Sequence, residues 1–161
     1  MGILISAFPG SGKTFATNLL MQKGLRVVDY DSNAFISSEA FPSIKHEYLA
    51  RAVEAYDIVF INTDVWMRRQ FLQVGLRTTI FYPAHEIKSE WLSRIFRRKT
   101  GMNGEVFTAL VSDFWVQWIQ EIEADSVGPY GNLIELYKLD EKTPYMDSET
   151  VLKIYEKSHI K

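Results

Sequence analysis

One segment constrains the fold of this chain more than any other. The short apolar run Ile3-Leu4-Ile5 is followed closely by Ala7-Phe8-Pro9-Gly10-Ser11-Gly12-Lys13-Thr14. The two glycines allow backbone dihedrals that other residues avoid, so successive amide N–H groups can point at one centre. Helical spacing and a C-cap follow in the next residues: Phe15, Ala16, Leu19, Leu20 and then Gly24. The pattern predicts a buried strand, a tight loop and a helix, in that order.

This arrangement is typical of a phosphate-binding loop. Inward amides and the positive end of a helix dipole suit a triphosphate, Lys13 would place its ammonium on the β and γ phosphates, and Thr14 its hydroxyl on Mg²⁺. The stricter motif has Gly in place of Ala7, a change that extended backbone tolerates. We therefore predict ATP and Mg²⁺ as cofactors. The predicted nucleotide-binding residues are Pro9, Gly10, Ser11, Gly12, Lys13, Thr14 and Phe15.

Length and composition limit the class of protein. A chain of 161 residues, 47% hydrophobic and 24% charged, suits one globular domain that spans residues 1–161. The net charge of −2 argues against a broad nucleic-acid-binding face. The absence of cysteine excludes disulfides and thiolate metal sites. The longest apolar runs are strand-sized, so we expect a cytoplasmic protein without a membrane segment.

Strand-like and helix-like runs alternate along the chain, which predicts an α/β fold with a parallel sheet between two helical layers. The predicted strands are Ile3 to Phe8, Leu25 to Asp29, Ile58 to Asn62, Thr78 to Tyr82 and Leu133 to Leu139. The predicted helices are Ile44 to Tyr56, Val65 to Val74, Glu86 to Lys99, a long helix from Val106, and Ser148 to Lys157, with a loop from Asp125 to Asn132. In the long helix, apolar residues at steps of four are predicted to pack in the core: Val106, Leu110, Phe114, Trp118 and Ile122.

The helix from Glu86 to Lys99 is amphipathic and basic. Its apolar face comprises Ile87, Trp91, Leu92, Ile95 and Phe96, and its basic residues are predicted to lie largely elsewhere. Arg94 and Arg98 are four residues apart and so share one face, where they would close over the phosphates as part of a lid at about residues 86–104. A solvated basic face is the alternative. Weaker candidates, for an acceptor phosphate, are Arg51, Arg68 and Arg69.

Carboxylates at strand ends are the other candidates for chemistry, because ligands bind beyond the carboxyl ends of parallel strands. Asp29 and Asp31 end the second strand and would serve Mg²⁺ and the acceptor, or else form a turn and a helix cap. Asn62 stands where a Walker B strand has Asp. Asp64 would reach a Mg²⁺-bound water or cap the next helix.

The order of these motifs resembles that of the small P-loop kinases, a group that includes nucleotide, shikimate and polynucleotide kinases. The resemblance rests on the loop at 7–14, Asp-x-Asp at 29–31 and an arginine-bearing helix before the last strand. It implies a three-layer P-loop fold with sheet order 2-3-1-4-5, Mg²⁺, ATP, and phosphoryl transfer to a small acceptor. By position, residues 10–14 would hold ATP, Asp29 or Asp31 the acceptor, and Arg94 or Arg98 the transferring phosphate. The chain is also similar in style to kinase-like proteins of bacterial viruses.

The leading hypothesis is therefore a kinase that acts on a nucleotide, a nucleoside or a similar small molecule. The predicted catalytic residues are Lys13, Asp29, Asp31, Arg94 and Arg98, and the predicted metal-binding residues are Thr14, Asp29 and Asp64. A kinase that phosphorylates nucleic acid is one alternative. An ATP-gated binding module without turnover is the other.

Overall fold

The computed structural model describes residues 2–29, 49–61, 63, 65–98 and 102–159, and for 65–67, 70, 98 and 102–104 it describes the backbone alone. The strands are β1 Ile3–Ala7, β2 Val27–Asp29, β3 Ile58–Ile61, β4 Thr78–Pro83 and β5 Ile134–Leu139. The helices are α1 Lys13–Gln22, α2 at residues 49–55, α3 Val65–Gln73, α4 Lys88–Arg98, α5 Met102–Val127 and α6 Ser148–Ser158. Short 3₁₀ turns lie at His85–Ile87 and Gly131–Leu133.

The strands form one parallel sheet in the order β2-β3-β1-β4-β5. In its centre, Ile5 of β1 lies opposite Phe60 of β3 and Thr79 of β4. The predicted α/β class and strand order are confirmed. Because the strands are parallel, the loop after β1 and the end of β2 at Asp29 lie at the same edge of the sheet.

Helices cover both faces of the sheet, as predicted. Successive strand residues face opposite sides, so Ile5 packs under α1, α4, α5 and α6, whereas Leu4 packs under α2 and α3. All four residues of β3 are buried, which explains its uninterrupted apolar sequence. Among the described residues, no helix combines the length and apolar character needed to cross a bilayer.

The predicted core stripe of α5 is wrong in its first half. Val106, Leu110 and Phe114 are each at least half exposed. A step of four residues overshoots one helical turn by about 40°, so a strict four-residue series winds away from the core. The face that packs in the core keeps to one side by mixing steps of four and three: Val111, Trp115, Ile119 and Ile122.

The predicted loop from Asp125 begins too early, because α5 continues to Val127. Arg68 in α3 donates from Nε to Asp125 Oδ2 at 2.9 Å, and its Nη1 donates to Thr63 O at 2.6 Å. Arg68 is fully buried by these contacts. It therefore links α3 to α5, and the hypothesis that it binds an acceptor phosphate is wrong.

An ion pair joins the amino ends of β2 and β3. Asp57 accepts hydrogen bonds from the Arg26 amide at 2.8 Å and from Arg26 Nη2 at 3.2 Å, and the Tyr155 hydroxyl donates to it at 3.3 Å. The Arg26 guanidinium is the main cause that holds the pKa of Asp57 below its ordinary value, and the Arg26 amide adds to it. The ion pair therefore stabilises the fold only while Asp57 is ionised.

Asp57→Asn should lower the free energy of unfolding by about 1 kcal/mol at neutral pH, because charge-assisted hydrogen bonds are lost. The wild-type stabilisation is full above pH values of about 5 and is lost as the pH falls through the lowered pKa, so the stability curves of the two proteins should converge in acid. Chemical denaturation across this range tests the expectation. Glu156→Gln, an exposed change in α6, is the control and should give a curve parallel to the wild type. Parallel curves for Asp57→Asn would contradict it.

Candidate active site

The loop between β1 and α1 has the backbone that its glycines predict. Gly10 and Gly12 have φ values of 89° and 95°, in the left-handed region that favours glycine. Gly12 caps α1 without a side-chain hydrogen bond, and the first turn carries no acidic residue. In contrast, Asp147 caps α6 by accepting from the Thr150 amide at 2.7 Å. Gly12 therefore offers no side-chain acceptor to the first turn of α1, an arrangement that suits an anion at this end of the helix.

The outer side of the same loop is fully hydrogen-bonded. When amides turn inward, the carbonyls turn outward and need donors of their own. Each carbonyl oxygen from residue 8 to residue 11 has one. The donors are, in order, Ser11 Oγ at 2.6 Å, Trp91 Nε1 at 2.6 Å, Arg94 Nη1 at 3.2 Å and the Met146 amide at 2.9 Å. The protein thus fixes the loop from outside, with the carbonyls of residues 8–11 bonded.

Phe8 anchors the start of the loop among three tryptophans. Its ring centroid lies 6.2 Å from that of Trp91, 5.7 Å from that of Trp115 and 4.5 Å from that of Trp118. The first two contacts are edge-on, the geometry that aromatic rings prefer, and each such pair contributes about 1 kcal/mol beyond burial. Phe8 itself is fully buried. Helices α4 and α5 therefore hold the loop through its first apolar side chain.

Lys13 and Asp29 meet beside this loop. Lys13 Nζ lies 3.8 Å from Asp29 Oδ1, and the two side chains are 18% and 24% exposed. Asp29 is the last residue of β2, which places its carboxylate at the carboxyl edge of the sheet. The structure thus brings a cation and a carboxylate together where a triphosphate would lie. Thr14 and Phe15 follow in the first turn of α1, both exposed.

Several predicted residues lie outside the described residues. These are Asp31, Asn62 and Asp64, and for Arg98 only the backbone is described. Within the described ranges, no three His, Asp or Glu side chains are grouped to hold a metal ion. Mg²⁺ commonly binds through one or two carboxylates and the phosphates of its substrate, so the Asp29 carboxylate beside Lys13 fits that mode.

Arg94 is buried beside the loop between β1 and α1. It is 8% exposed and shares a face of α4 with Trp91 and Ile95, so its assignment to the solvated basic face is wrong. Its Nη1 donates to Gly10 O at 3.2 Å and to Pro144 O at 2.7 Å. Its guanidinium carbon lies 4.4 Å from the Trp91 ring centroid and 3.9 Å from that of Tyr145. Its predicted contact with the transferring phosphate stays a prediction.

The segment between β5 and α6 also belongs to the site, and sequence reasoning missed it. Asp140 shapes it by accepting from the Lys142 and Thr143 amides, each at 2.9 Å, and these bonds, that of Thr143 first, lower the pKa of Asp140. The half-exposed Tyr145 lies against Gly12, since a Cβ built on Gly12 would be 3.7 Å from Tyr145 Cδ1. Asp140 and Pro144 signal a turn in the sequence, but no local pattern reveals that it returns to residues 10–12.

Comparison with known proteins agrees with the fold. No protein-family model and no curated protein sequence matches the chain. Solved structures do match the chain. A shikimate kinase from Bacteroides thetaiotaomicron is similar with a TM-score of 0.56 and 13% identity, over 99% of both chains.

Two further structures are similar over nearly their whole length. The Deinococcus radiodurans tunicamycin resistance protein gives a TM-score of 0.54 at 12% identity, with 100% of this chain and 98% of the other covered. An uncharacterized protein from Eubacterium ventriosum gives 0.53 at 11% identity, with 98% and 97% covered. At these identities the likeness establishes the fold alone, which is the P-loop kinase-like fold.

Gly10→Ala should lower the free energy of unfolding more than Gly24→Ala. Both positions have positive φ, 89° and 90°, so each alanine costs about 1 kcal/mol in backbone strain. Only at Gly10 would the new Cβ also crowd neighbours, 3.0 Å from Trp91 Nε1 and 3.2 Å from Ile95 Cγ1, whereas nothing lies within 4 Å at Gly24. Urea denaturation of the two variants isolates this contact. Equal losses would show that the loop does not pack tightly on α4.

Proposed function

We propose that the protein is a magnesium-dependent kinase that transfers the γ phosphate of ATP to a small acceptor, most consistent with a nucleotide or a nucleoside. One observation carries the proposal. The loop at residues 8–12 has every outward carbonyl bonded, its capping position has no side-chain acceptor, and an ammonium and a carboxylate lie 3.8 Å apart beside it. This is a site organised for a polyphosphate and a group that reacts with it.

On the donor side, the amides of Gly10, Gly12, Lys13 and Thr14 would bind the phosphates, and the Lys13 ammonium would neutralise their charge. The Ser11 amide is used within the loop, where it donates to Phe8 O at 3.1 Å. On binding, Lys13 would turn from Asp29 Oδ1, 3.8 Å from its Nζ, towards the phosphates. Phe15 in the first turn of α1 and Tyr145 beside Gly12 both have exposed aromatic rings, which would offer apolar surface to a base.

On the acceptor side, Asp29 and Asp31 would orient a hydroxyl or phosphate oxygen of the second substrate. The acceptor oxygen forms a bond to the γ phosphorus while the bond to the β–γ bridging oxygen breaks, and ADP leaves. For a hydroxyl acceptor, the proton passes to a carboxylate, for which Asp31 is the candidate. Arg98, at the end of α4, is the candidate for the transferring phosphate.

Mg²⁺ would be held by Thr14 and Asp29, with Asp64 through water, and would offset charge on the phosphates. The likeness to a shikimate kinase supports phosphoryl transfer, because that protein combines this fold with kinase activity. The acceptor is proposed from this chain's own carboxylates.

Lys13→Met should weaken binding of ATP with Mg²⁺ by roughly a hundredfold, because an ammonium directed at buried phosphate charge is removed. Isothermal titration calorimetry measures this directly. Lys23→Met is the matched control, since Lys23 is exposed at the end of the same helix and should leave affinity unchanged. No binding by the wild type, or equal affinities for both variants, would end the proposal of an ATP site.

A panel of nucleosides, nucleoside monophosphates, sugars and 5′-hydroxyl oligonucleotides, each with radiolabelled ATP, should identify the acceptor class. We expect label transfer to a nucleoside or nucleotide, lost in Asp31→Ala and retained in Lys23→Met. Transfer to the oligonucleotide alone would favour the nucleic-acid kinase. ADP release that no acceptor changes, or tight ATP binding without any transfer, would contradict the kinase and favour a nucleotide-gated module.

A further inference from the structure

We propose that Trp91 and Arg94 are positioning residues for the phosphate-binding loop. They hold the carbonyls of Pro9 and Gly10 outward, so that the turn closed by the Ser11 amide on Phe8 O keeps its shape and the other loop amides stay directed at the polyphosphate. The inference rests on the proposed function for its ligand. It deepens that function by assigning Arg94 to the loop rather than to the transferring phosphate.

The first argument is the direction of the donors. Trp91 Nε1 reaches Pro9 O at 2.6 Å and Arg94 Nη1 reaches Gly10 O at 3.2 Å, from residues three apart on one face of α4. A peptide unit has its C=O and N–H on opposite sides, so a donor fixed on the carbonyl also fixes the direction of the next amide. Trp91 therefore acts on the Gly10 amide. Arg94 acts on the Ser11 amide, which donates to Phe8 O at 3.1 Å and closes the turn of the loop.

The second argument is the burial of a guanidinium. Removing this charge from water is costly, and a methionine or leucine would fill the space without that cost. At Arg94 the cost is offset by the carbonyls of Gly10 and Pro144 and by the ring faces of Trp91 and Tyr145. These partners all belong to the loop or to elements that touch it. The contacts of the Arg94 guanidinium thus stabilise the loop.

The third argument is that Arg94 connects two loops that are distant in sequence. It bonds Gly10 in the first loop and Pro144 in the β5–α6 segment, and next to this link the Met146 amide donates to Ser11 O at 2.9 Å. Tyr145 stands between these two connections. Arg94 therefore keeps the exposed Tyr145 ring beside Gly12, on the side where the base of ATP is proposed to lie.

The two roles for Arg94 predict different nucleotide preferences. A side chain that binds the γ phosphate matters for ATP and much less for ADP. A side chain that orients the loop matters equally for both, because both use the same amides. Comparing ADP with ATP therefore separates positioning from direct contact.

Arg94→Met keeps the apolar stem and removes the donors. In calorimetric titrations with Mg²⁺, its affinities for ADP and ATP should fall by the same factor, roughly tenfold or more, at unchanged stoichiometry. A merely structural role would lower the stoichiometry instead. Arg77→Met, at an exposed arginine, is the matched control and should change neither affinity. A much larger loss for ATP than for ADP, or no loss, would overturn the proposal.

Arg94→Lys tests whether charge alone is enough. An ammonium lacks the planar fork that meets two carbonyls and lies between two rings, so only part of the affinity should return. Complete rescue by lysine would overturn the positioning role. If Arg94→Met does not fold, Trp91→Phe keeps an aromatic ring and removes only the Nε1 donor, and should weaken ADP and ATP equally, by roughly fivefold.

Amide hydrogen exchange tests, without any nucleotide, whether Trp91 and Arg94 hold the loop in place. In ligand-free Arg94→Met, or Trp91→Phe where the first does not fold, the Met146 and Ser11 amides should exchange roughly tenfold faster, while amides of β1 and β3 keep the wild-type rate. Unchanged protection of Met146 and Ser11 would overturn the inference. This readout is independent of ATP. A wild type that binds no nucleotide would therefore end the proposed function, while hydrogen exchange would still test the positioning role of Trp91 and Arg94.

Discussion

The structure depends on how the protein bonds the outward carbonyls of residues 8–11. A loop whose amides converge on one point presents its carbonyls to the other side, and buried carbonyls without donors are costly. Here the donors come from the loop itself, from α4 and from the segment before α6. Two other parts of the chain must therefore fold against the loop before its amides are fixed.

This requirement explains features of the fold that otherwise look unrelated. Helix α4 presents an indole and a guanidinium on its buried face, which is an unusual content for a core-facing helix. Helix α5 adds Trp115 and Trp118 around Phe8, and Asp140 organises the turn that delivers the Met146 amide. The aromatic content of this half of the chain thus supports the loop as well as the core. Contacts on the outer side of the loop therefore determine the shape of the candidate site.

The candidate site could be predicted from the sequence in part. Residues 7–14 were identified because their chemistry is local: glycines, a lysine and a threonine at fixed spacing determine a loop before any packing is known. Asp29 was identified because strand ends meet at one edge of a parallel sheet, and it lies 3.8 Å from Lys13. Arg94 is a predicted site residue, and only its alternative placement on a solvated basic face is wrong, because charge alone does not reveal what a helix face contacts. Tyr145 and Met146 were missed, since nothing local links them to residues 10–12.

The strand order was implied by the resemblance to small P-loop kinases. By itself, the sequence determined the α/β class, the ends of most strands to within two residues, and the glycine-rich loop after β1. These follow from short-range rules of apolar periodicity, glycine conformation and the parallel arrangement of alternating elements. Tertiary structure alone decided which residues of α5 are buried, where that helix ends, and that Arg94 faces the loop. Each of these depends on a partner that is distant in the chain, such as Arg68 for Asp125 and Gly10 for Arg94, and side-chain spacing does not encode the identity of such a partner.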